Sequence, residues 1–470
     1  MAAPSHNHAN YQARLDYIQG LLRDHFGLSN ENISETKITP IQYEADFPFK
    51  YNNFVYHLKF PVDISDGLRN AGGRRRLEQP GCVPIPAGSR EFIMRLSNPD
   101  AEGMHQETRV QNGVAILTLA SAALRHIKPS VVPRVFGWGG ASQGCLGWIL
   151  QDLMPGVPLD AVFSPTASLD QKSGILGQMA VILKALQDYP LPESIEGWGG
   201  LTFDSSGAIV SASMPNVGAG PWSSLENSYR GRLNVALDRA DKNPYLQGWR
   251  PNGIRDRVDD FIKRGLSAQF SELTSRQERA IIHADFSKLF FNEITLPPPS
   301  TDMKVKASDN LLYDPATGLV TALLDYDFSS ILHPAYEFFR SFAPNGGRFT
   351  GWVADSDPEG QELAALRRAK LTGEFPSPLP TPVETRNGPG VDWELAQAWE
   401  NELQRLNVKR PSTIQGINKL ADVDELLGSL TPWRLINTDF LRMNTDEGQR
   451  MAVRRMSEEQ LVAVLDHLGF

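Results

Sequence analysis

Residues 281–337 carry four short motifs: Ile281-Ile282-His283-Ala284-Asp285, Asp309-Asn310-Leu311-Leu312-Tyr313-Asp314, Leu323-Leu324-Asp325-Tyr326-Asp327 and His333-Pro334-Ala335-Tyr336-Glu337. In the first, an apolar pair leads straight into a His and an Asp. Downstream, a short apolar run, a turn at 315–318 and a second run over 318–324 predict a hairpin with polar residues at both ends. A carboxylate before the hairpin (Asp285), an amide at its start (Asn310) and a carboxylate at its end (Asp325) would converge on one edge. Phosphoryl transfer needs such a set. An acidic group orients an acceptor hydroxyl and takes its proton, while an amide oxygen and a second carboxylate hold magnesium against the phosphates. Taken singly, His283, Asp285 and Asp325 read as turn residues and caps. Jointly, and in this order, they favour the chemistry.

Upstream, segments 54–60, 91–96, 131–138 and 145–154 alternate or run apolar like strands. Between the second and third, Val110, Val114, Leu117, Ser121 and Leu124 fall on one helical face. A further helix is expected near 11–26. At Met154-Pro155-Gly156 the pattern changes, and the chain becomes mainly helical. Ser168 with Gln171 makes a capping-box start. Helices are expected over 222–241, 254–272, 393–406, and from a cap at Ser457 with Gln460 to the last residue. The expected architecture is α+β and two-lobed: a small β-rich lobe over 1–155 and a larger helical lobe over 156–470. Two loops stand out, 67–89 with Arg74-Arg75-Arg76, read as a solvated hairpin loop, and the proline-rich 373–390.

The composition is that of a globular protein, with 41% hydrophobic and 21% charged residues over 470. Lys plus Arg number 46 against 55 Asp plus Glu, a net charge of −9 that argues against nucleic-acid binding by phosphate neutralisation. Two cysteines, Cys82 and Cys145, make neither a disulfide scaffold nor a zinc cluster and suit a reducing compartment. No run approaches the ~20 apolar residues of a membrane span. A cytoplasmic protein without a membrane, nucleic-acid or obligate protein partner is the expectation.

In these motifs the chain resembles the aminoglycoside phosphotransferase-like kinases, and within them the large fungal branch. The matching residues are His283-Ala284-Asp285, Asn310, Leu323-Leu324-Asp325-Tyr326 and His333-Pro334-Ala335-Tyr336-Glu337. Also similar are Phe92-Ile93-Met94-Arg95-Leu96-Ser97-Asn98-Pro99 and Trp148-Ile149-Leu150-Gln151-Asp152-Leu153-Met154-Pro155-Gly156. The resemblance implies a protein-kinase-like fold with the nucleotide between the lobes, near the Met154 hinge. It implies ATP and magnesium as cofactors, Asp285 as catalytic aspartate, His283 structuring its loop, and Asn310 and Asp325 as magnesium ligands. Glu337 would be structural. The acceptor would be a hydroxyl of a small molecule, and an acidic helical lobe would suit a cationic amino-alcohol or aminosugar.

Four features depart from the family pattern. Where a phosphate-covering loop is expected, Phe49-Lys50-Tyr51-Asn52-Asn53-Phe54 has no glycine, so Asn52 and Asn53 either donate side-chain hydrogen bonds to phosphate or merely form the turn. The strand position that holds a phosphate-pairing Lys in many kinases is Arg95, which either contacts phosphate through its planar fork or is a plain strand residue. The helix that should supply a Glu for that cation has Gly113 there, and Glu107 lies nearly two turns earlier. Finally, Asp285 and Asn310 are 25 residues apart where the family has five. Removing 288–307, with its three consecutive prolines, restores that spacing. Those 20 codons keep the frame and can be encoded with splice-like ends, so a retained intron is one explanation and a bulged loop the other. Two readings follow: an ATP-dependent phosphotransferase, or a catalytically impaired pseudokinase acting as a binding or regulatory module.

Overall fold

A computed structural model describes residues 7–41, 47–64, 79–142, 145–162, 167–286, 310–342, 346–385 and 388–470. Segment 288–307 and the Arg74-Arg75-Arg76 triplet lie outside the described residues.

Strands β1 (Lys37–Pro40), β2 (Asn53–Lys59), β3 (Glu91–Ser97), β4 (Val135–Gly139) and β5 (Trp148–Asp152) form an antiparallel sheet in the order β1-β2-β3-β5-β4. The period of two decides what each face carries. Phe54, Tyr56 and Leu58 of β2 lie on one face with Phe92, Met94 and Leu96 of β3. Helices α1 (Tyr11–Asp24) and α2 (Asn30–Glu35) close it with Ile18, Leu21, Leu22 and Ile33. On the other face Val55, Arg95 and Ile149 stand in register. Helix α3 (Gln106–Ala123) packs there, and Val110, Val114 and Leu117 share a core with Ile149. Lying between the sheet and the second lobe, α3 is buried nearly all round, which is why its apolar residues are not confined to one stripe.

The second lobe contains β6 (Val157–Pro158), α4 (Leu169–Asp188), the hairpin β7 (Gly200–Phe203) and β8 (Ile209–Ala212), and α5 (Leu225–Lys242). Next come α6 (Ile254–Asp260), α7 (Leu266–Gln269), β9 (Ala280–Ile282), the hairpin β10 (Leu311–Asp314) and β11 (Leu319–Leu323), β12 (Ser330–Leu332) and α8 (Ala335–Arg340). The chain ends with α9 (Pro358–Thr372), α10 (Trp393–Arg405), α11 (Ile417–Leu430), α12 (Trp433–Ile436), α13 (Thr438–Met443) and α14 (Glu447–Leu468). The result is a two-lobed α+β arrangement, a small antiparallel sheet joined to a larger, mainly helical lobe. Gly156 joins the lobes at φ 114°, and a β-carbon there would meet the Tyr313 carbonyl at 2.9 Å, so the turn requires glycine. That turn lays β6 against β10, Val157 opposite Tyr313.

The Ser168–Gln171 capping box forms as expected. Two other expectations need correction. The helix over 254–272 is interrupted by a π-type turn at Phe261–Gly265, where Phe470 packs against the bare backbone of Gly265. The terminal helix starts at Glu447, capped by Asp446, whose carboxylate accepts the Gly448 and Gln449 N–H groups. Ser457 lies inside it. Residues beyond 342 belong to the same core: Leu420, Val423, Leu426 and Leu430 of α11 are buried with Leu233 and Leu237 of α5 and Leu461 and Leu465 of α14. Among the described residues no helix is long and apolar enough to cross a membrane.

Candidate active site

Strands β9 and β12 pair antiparallel, Ile282 opposite Ser330, and the loop that leaves β9 is His283-Ala284-Asp285. Ala284 sits at φ 63°, a left-handed conformation that costs a residue with a β-carbon roughly 1–3 kcal/mol. Glu337 of α8 holds it there. One carboxylate oxygen accepts the His283 N–H at 2.7 Å and the other the Ala284 N–H at 2.9 Å. The Ser341 hydroxyl donates to the same carboxylate and accepts the Phe286 N–H at 2.9 Å. Burial pushes the Glu337 carboxyl up to about 7, although these hydrogen bonds pull the other way. His283 is also fully buried. Its Nε2–H donates to the Leu324 carbonyl at 2.9 Å and its ring meets Tyr326 edge-on at 4.7 Å. Burial pushes its imidazole down to about 4, so it is neutral at pH 7 and serves as a brace between two loops.

Asp285 emerges half-buried from this cradle. Asn310, the residue before β10, donates through Nδ2 to the Asp285 carbonyl at 2.6 Å and to its Oδ2 at 2.9 Å. The 25-residue separation is therefore closed in space. Asn310 also accepts the Leu324 N–H through its carbonyl at 2.7 Å, which brings the next residue, Asp325, into the same place. Asp325 sits at φ 59°. Burial raises its carboxyl to about 6, reinforced by the negative charges of Asp327 and Asp285 and opposed by Arg95.

Arg95 comes from the other lobe. Because the pleat sends Met94 and Leu96 into the sheet core, the side chain between them points to the cleft. Its Nη2 donates to Asp325 Oδ1 at 2.8 Å and to Asp327 Oδ1 at 2.9 Å. The helix lacks the Glu that the family pattern would pair with this cation, as the sequence indicated. A β-carbon on Gly113 would meet only Ile149 Cδ1, at 3.9 Å, so position 113 faces the sheet, and Glu107 is exposed. The partners come instead from the loop after β11. Helix α3 supplies a second cation: Arg109 Nη2 donates to Asp327 Oδ2 at 2.7 Å, to Asn53 Oδ1 at 3.1 Å and to the Asn52 carbonyl at 3.0 Å. Asn53 Nδ2 donates to Asp327 Oδ2 at 2.7 Å. Burial opposes ionisation of Asp327, but the Arg109 and Arg95 guanidiniums outweigh it and hold its carboxyl below the ordinary range.

Of the residues singled out from sequence, His283, Asp285, Asn310, Asp325, Arg95 and Asn53 meet at this cleft. Asn53 meets it with its amide engaged by Asp327 and Arg109. Asn52 contributes its carbonyl, and Met154 lies half-buried between β5 and β6. Arg109 and Asp327 were overlooked. Arg109 carried no distinct signal, because residues 106–112 are all polar except Val110. Asn112 on the same helix is fully buried and ties α3 to Ser329 O and Leu201 N at 3.0 and 2.8 Å.

Residues 85–288 match the model of the phosphotransferase enzyme family. That match covers β3, β4 and β5, the hinge and the loop that bears Asp285. Among solved structures, the chain is similar to a putative aminoglycoside phosphotransferase from Ralstonia eutropha JMP134 (12% identity, 97% of this chain and 98% of that one, TM-score 0.46). It is also similar to the streptomycin–ATP–APH(2″)-IIa ternary complex (9%, 92% and 97%, 0.43) and to ADP-bound aminoglycoside phosphotransferase APH(2″)-Ib (9%, 91% and 92%, 0.40). No curated protein sequence matches the chain.

Proposed function

We propose that this chain is an ATP- and magnesium-dependent phosphotransferase that acts on a hydroxyl of a small molecule. One observation carries the reading: Asn310 is hydrogen-bonded to both the backbone and the carboxylate of Asp285, with Asp325 attached to the same strand pair. Asp285 orients the acceptor hydroxyl and takes its proton as the oxygen attacks the γ-phosphorus in line, while the bond from that phosphorus to the bridging oxygen breaks and ADP leaves. The Asn310 hydrogen bonds fix the carboxylate rotamer, and the Glu337 cradle fixes the backbone beneath it. Arg95 lies at the cleft with a guanidinium that suits phosphate.

The donor set fits magnesium. Asn310 keeps its amide oxygen once Nδ2 has donated to Asp285, and Asp325 keeps a second carboxylate oxygen beyond the one Arg95 holds. Both are hard oxygens, and one or two protein ligands with nucleotide phosphates is the usual magnesium arrangement. When bound, magnesium would neutralise charge on the transferring phosphates. A chain with only two cysteines, Cys82 and Cys145, accords with a cytosolic setting.

The Arg95–Asp325 ion pair favours a second reading, because an internal cation that holds the carboxylate competes with metal for it. In that reading the chain is a pseudokinase, and the cluster is a lobe clamp. Calorimetric titration with ATP, with and without magnesium, separates the two. The phosphotransferase reading expects magnesium to tighten ATP binding and Asp325→Asn to remove that gain; magnesium-independent or absent binding supports the pseudokinase.

A further inference from the structure

Building on the phosphotransferase reading, we propose that the acceptor carries an anionic group, bound beside Asp285 by Arg340, Arg348 and Arg232. The hydrogen bonds of the catalytic loop fix the location. Helix α8 holds that loop through Glu337, and Arg340 is its last residue, one turn on. Its chain neighbour Ser341 accepts the N–H of Phe286, the residue after Asp285. Asp285 is accordingly among the charges that act on Arg340. The Arg340 side chain is exposed and makes no hydrogen bond or ion pair among the described residues.

Two more guanidiniums lie within electrostatic reach of it, those of Arg232 and Arg348. Arg232 of α5 is only 6% exposed and is held rigidly. Its Nη2 donates to the Tyr336 hydroxyl at 3.0 Å and to Asp424 Oδ1 at 3.4 Å, and its plane lies over the Tyr229 and Tyr336 rings at 4.8 and 4.7 Å. Its Nη1 is nevertheless shielded and without a hydrogen-bond acceptor, as is Nε of Arg348. The acids around this group are Asp285 itself, Asp424, already engaged by Arg232, and Glu425, which accepts from Gln460 at 2.8 Å and acts on Arg348. Besides Asp285, three guanidiniums thus face two carboxylates.

A buried N–H without an acceptor costs free energy, and a guanidinium fork matches the paired oxygens of a carboxylate or phosphate. Both facts are accounted for if the acceptor brings those oxygens. A cationic acceptor would meet like charge here. The net charge of −9 describes the whole surface, not this corner of the cleft.

The test uses the intact protein and four hexose-derived probes that differ mainly in charge: D-gluconate, D-glucose 6-phosphate, neutral D-glucitol and cationic D-glucosamine. Binding is read by saturation-transfer NMR in wild type and in Arg340→Gln, with MgATP binding measured on the same samples. At least one anion is expected to bind about tenfold or more tightly than glucitol and glucosamine, and to lose that advantage in Arg340→Gln. Gluconate ahead of the phosphate ester identifies a carboxylate subsite, and the reverse order a phosphate subsite. Equal binding of all four, preference for glucosamine, no anion binding, or a preference that survives Arg340→Gln overturns the inference. If those results come with intact MgATP binding, only the acceptor assignment falls. Anion preference without MgATP binding would instead remove the phosphotransferase reading and leave the anion site.

Discussion

Arg109 on α3 and Asp327 in the loop after β11 join the two lobes through a buried ion pair, Nη2 to Oδ2 at 2.7 Å. Both residues are more than nine-tenths buried, at 3% and 8% exposure, so removing Arg109 leaves Asp327 desolvated with Arg95 as its one remaining cation, and removing Asp327 leaves the Arg109 charge buried. Arg109→Met is expected to cost about 3–5 kcal/mol of stability, and adding Asp327→Asn to recover much of it. Urea unfolding of the double-mutant cycle measures this. A loss below about 1 kcal/mol for the single variant would show that the pair does not couple the lobes.

The carboxylates that hold Arg95 come from the loop after β11, so position 113 is free of any role in orienting it. Gly113 lies inside α3 with nothing nearer its missing β-carbon than Ile149 at 3.9 Å. Gly113→Ala should raise stability by about 0.5–1 kcal/mol and leave MgATP affinity unchanged. Thermal unfolding and calorimetric titration read the two effects. Weakened nucleotide binding would mean that α3 positions Arg95 after all.

Stability should depend on pH in two opposite windows. Glu337 is raised from 4.5 to about 7, so its contribution is present below about 4.5 and is lost as pH rises through 7. His283 and His333 are lowered from 6.5 to about 4, so theirs is present above about 6.5 and is lost as pH falls toward 4. His333 has a geometric reason to stay neutral, since Nδ1 accepts the Ala335 N–H at 3.1 Å. Relative to wild type, Glu337→Gln should gain roughly 3 kcal/mol between pH 4.5 and pH 8. Denaturant unfolding across that range tests this, and a constant difference would contradict it.

The hydrogen bonds from Asn310 to Asp285 bring together the two ends of the segment that contains 288–307. A short connection can therefore bridge them. A chain lacking 288–307 should keep the site, bind MgATP as well as the full chain does, and gain about 1–1.5 kcal/mol from the smaller loop. Loss of binding would show that the segment contributes to the site. Sequencing the transcript across codons 280–315 tests directly whether those codons are spliced out.

Much of this architecture was legible because it rests on local signals. The alternation in β2 and β3, the Ser168–Gln171 cap and the His283-Ala284-Asp285 loop all announce themselves within a few residues. Asp285, Asn310 and Asp325 could be placed together because hairpin pairing is a short-range rule. Arg109 and Asp327 escaped because their pairing joins residues 218 apart and depends on how α3 docks on the second lobe. The arginines near Asp285 escaped for the same reason: α5, α8 and the chain after it meet only in the folded core. At the C-terminal helix, Ser457–Gln460 mimicked a cap while Asp446 supplied the actual one.

The most direct test of the central claim is ADP release from MgATP by wild type and by Asp285→Asn, in the presence of each hexose-derived probe and with water alone as acceptor. The account predicts turnover in wild type that falls by about a hundredfold or more in the variant, with MgATP affinity retained. Turnover equal in the two proteins, or no turnover and no MgATP binding in wild type, would contradict it.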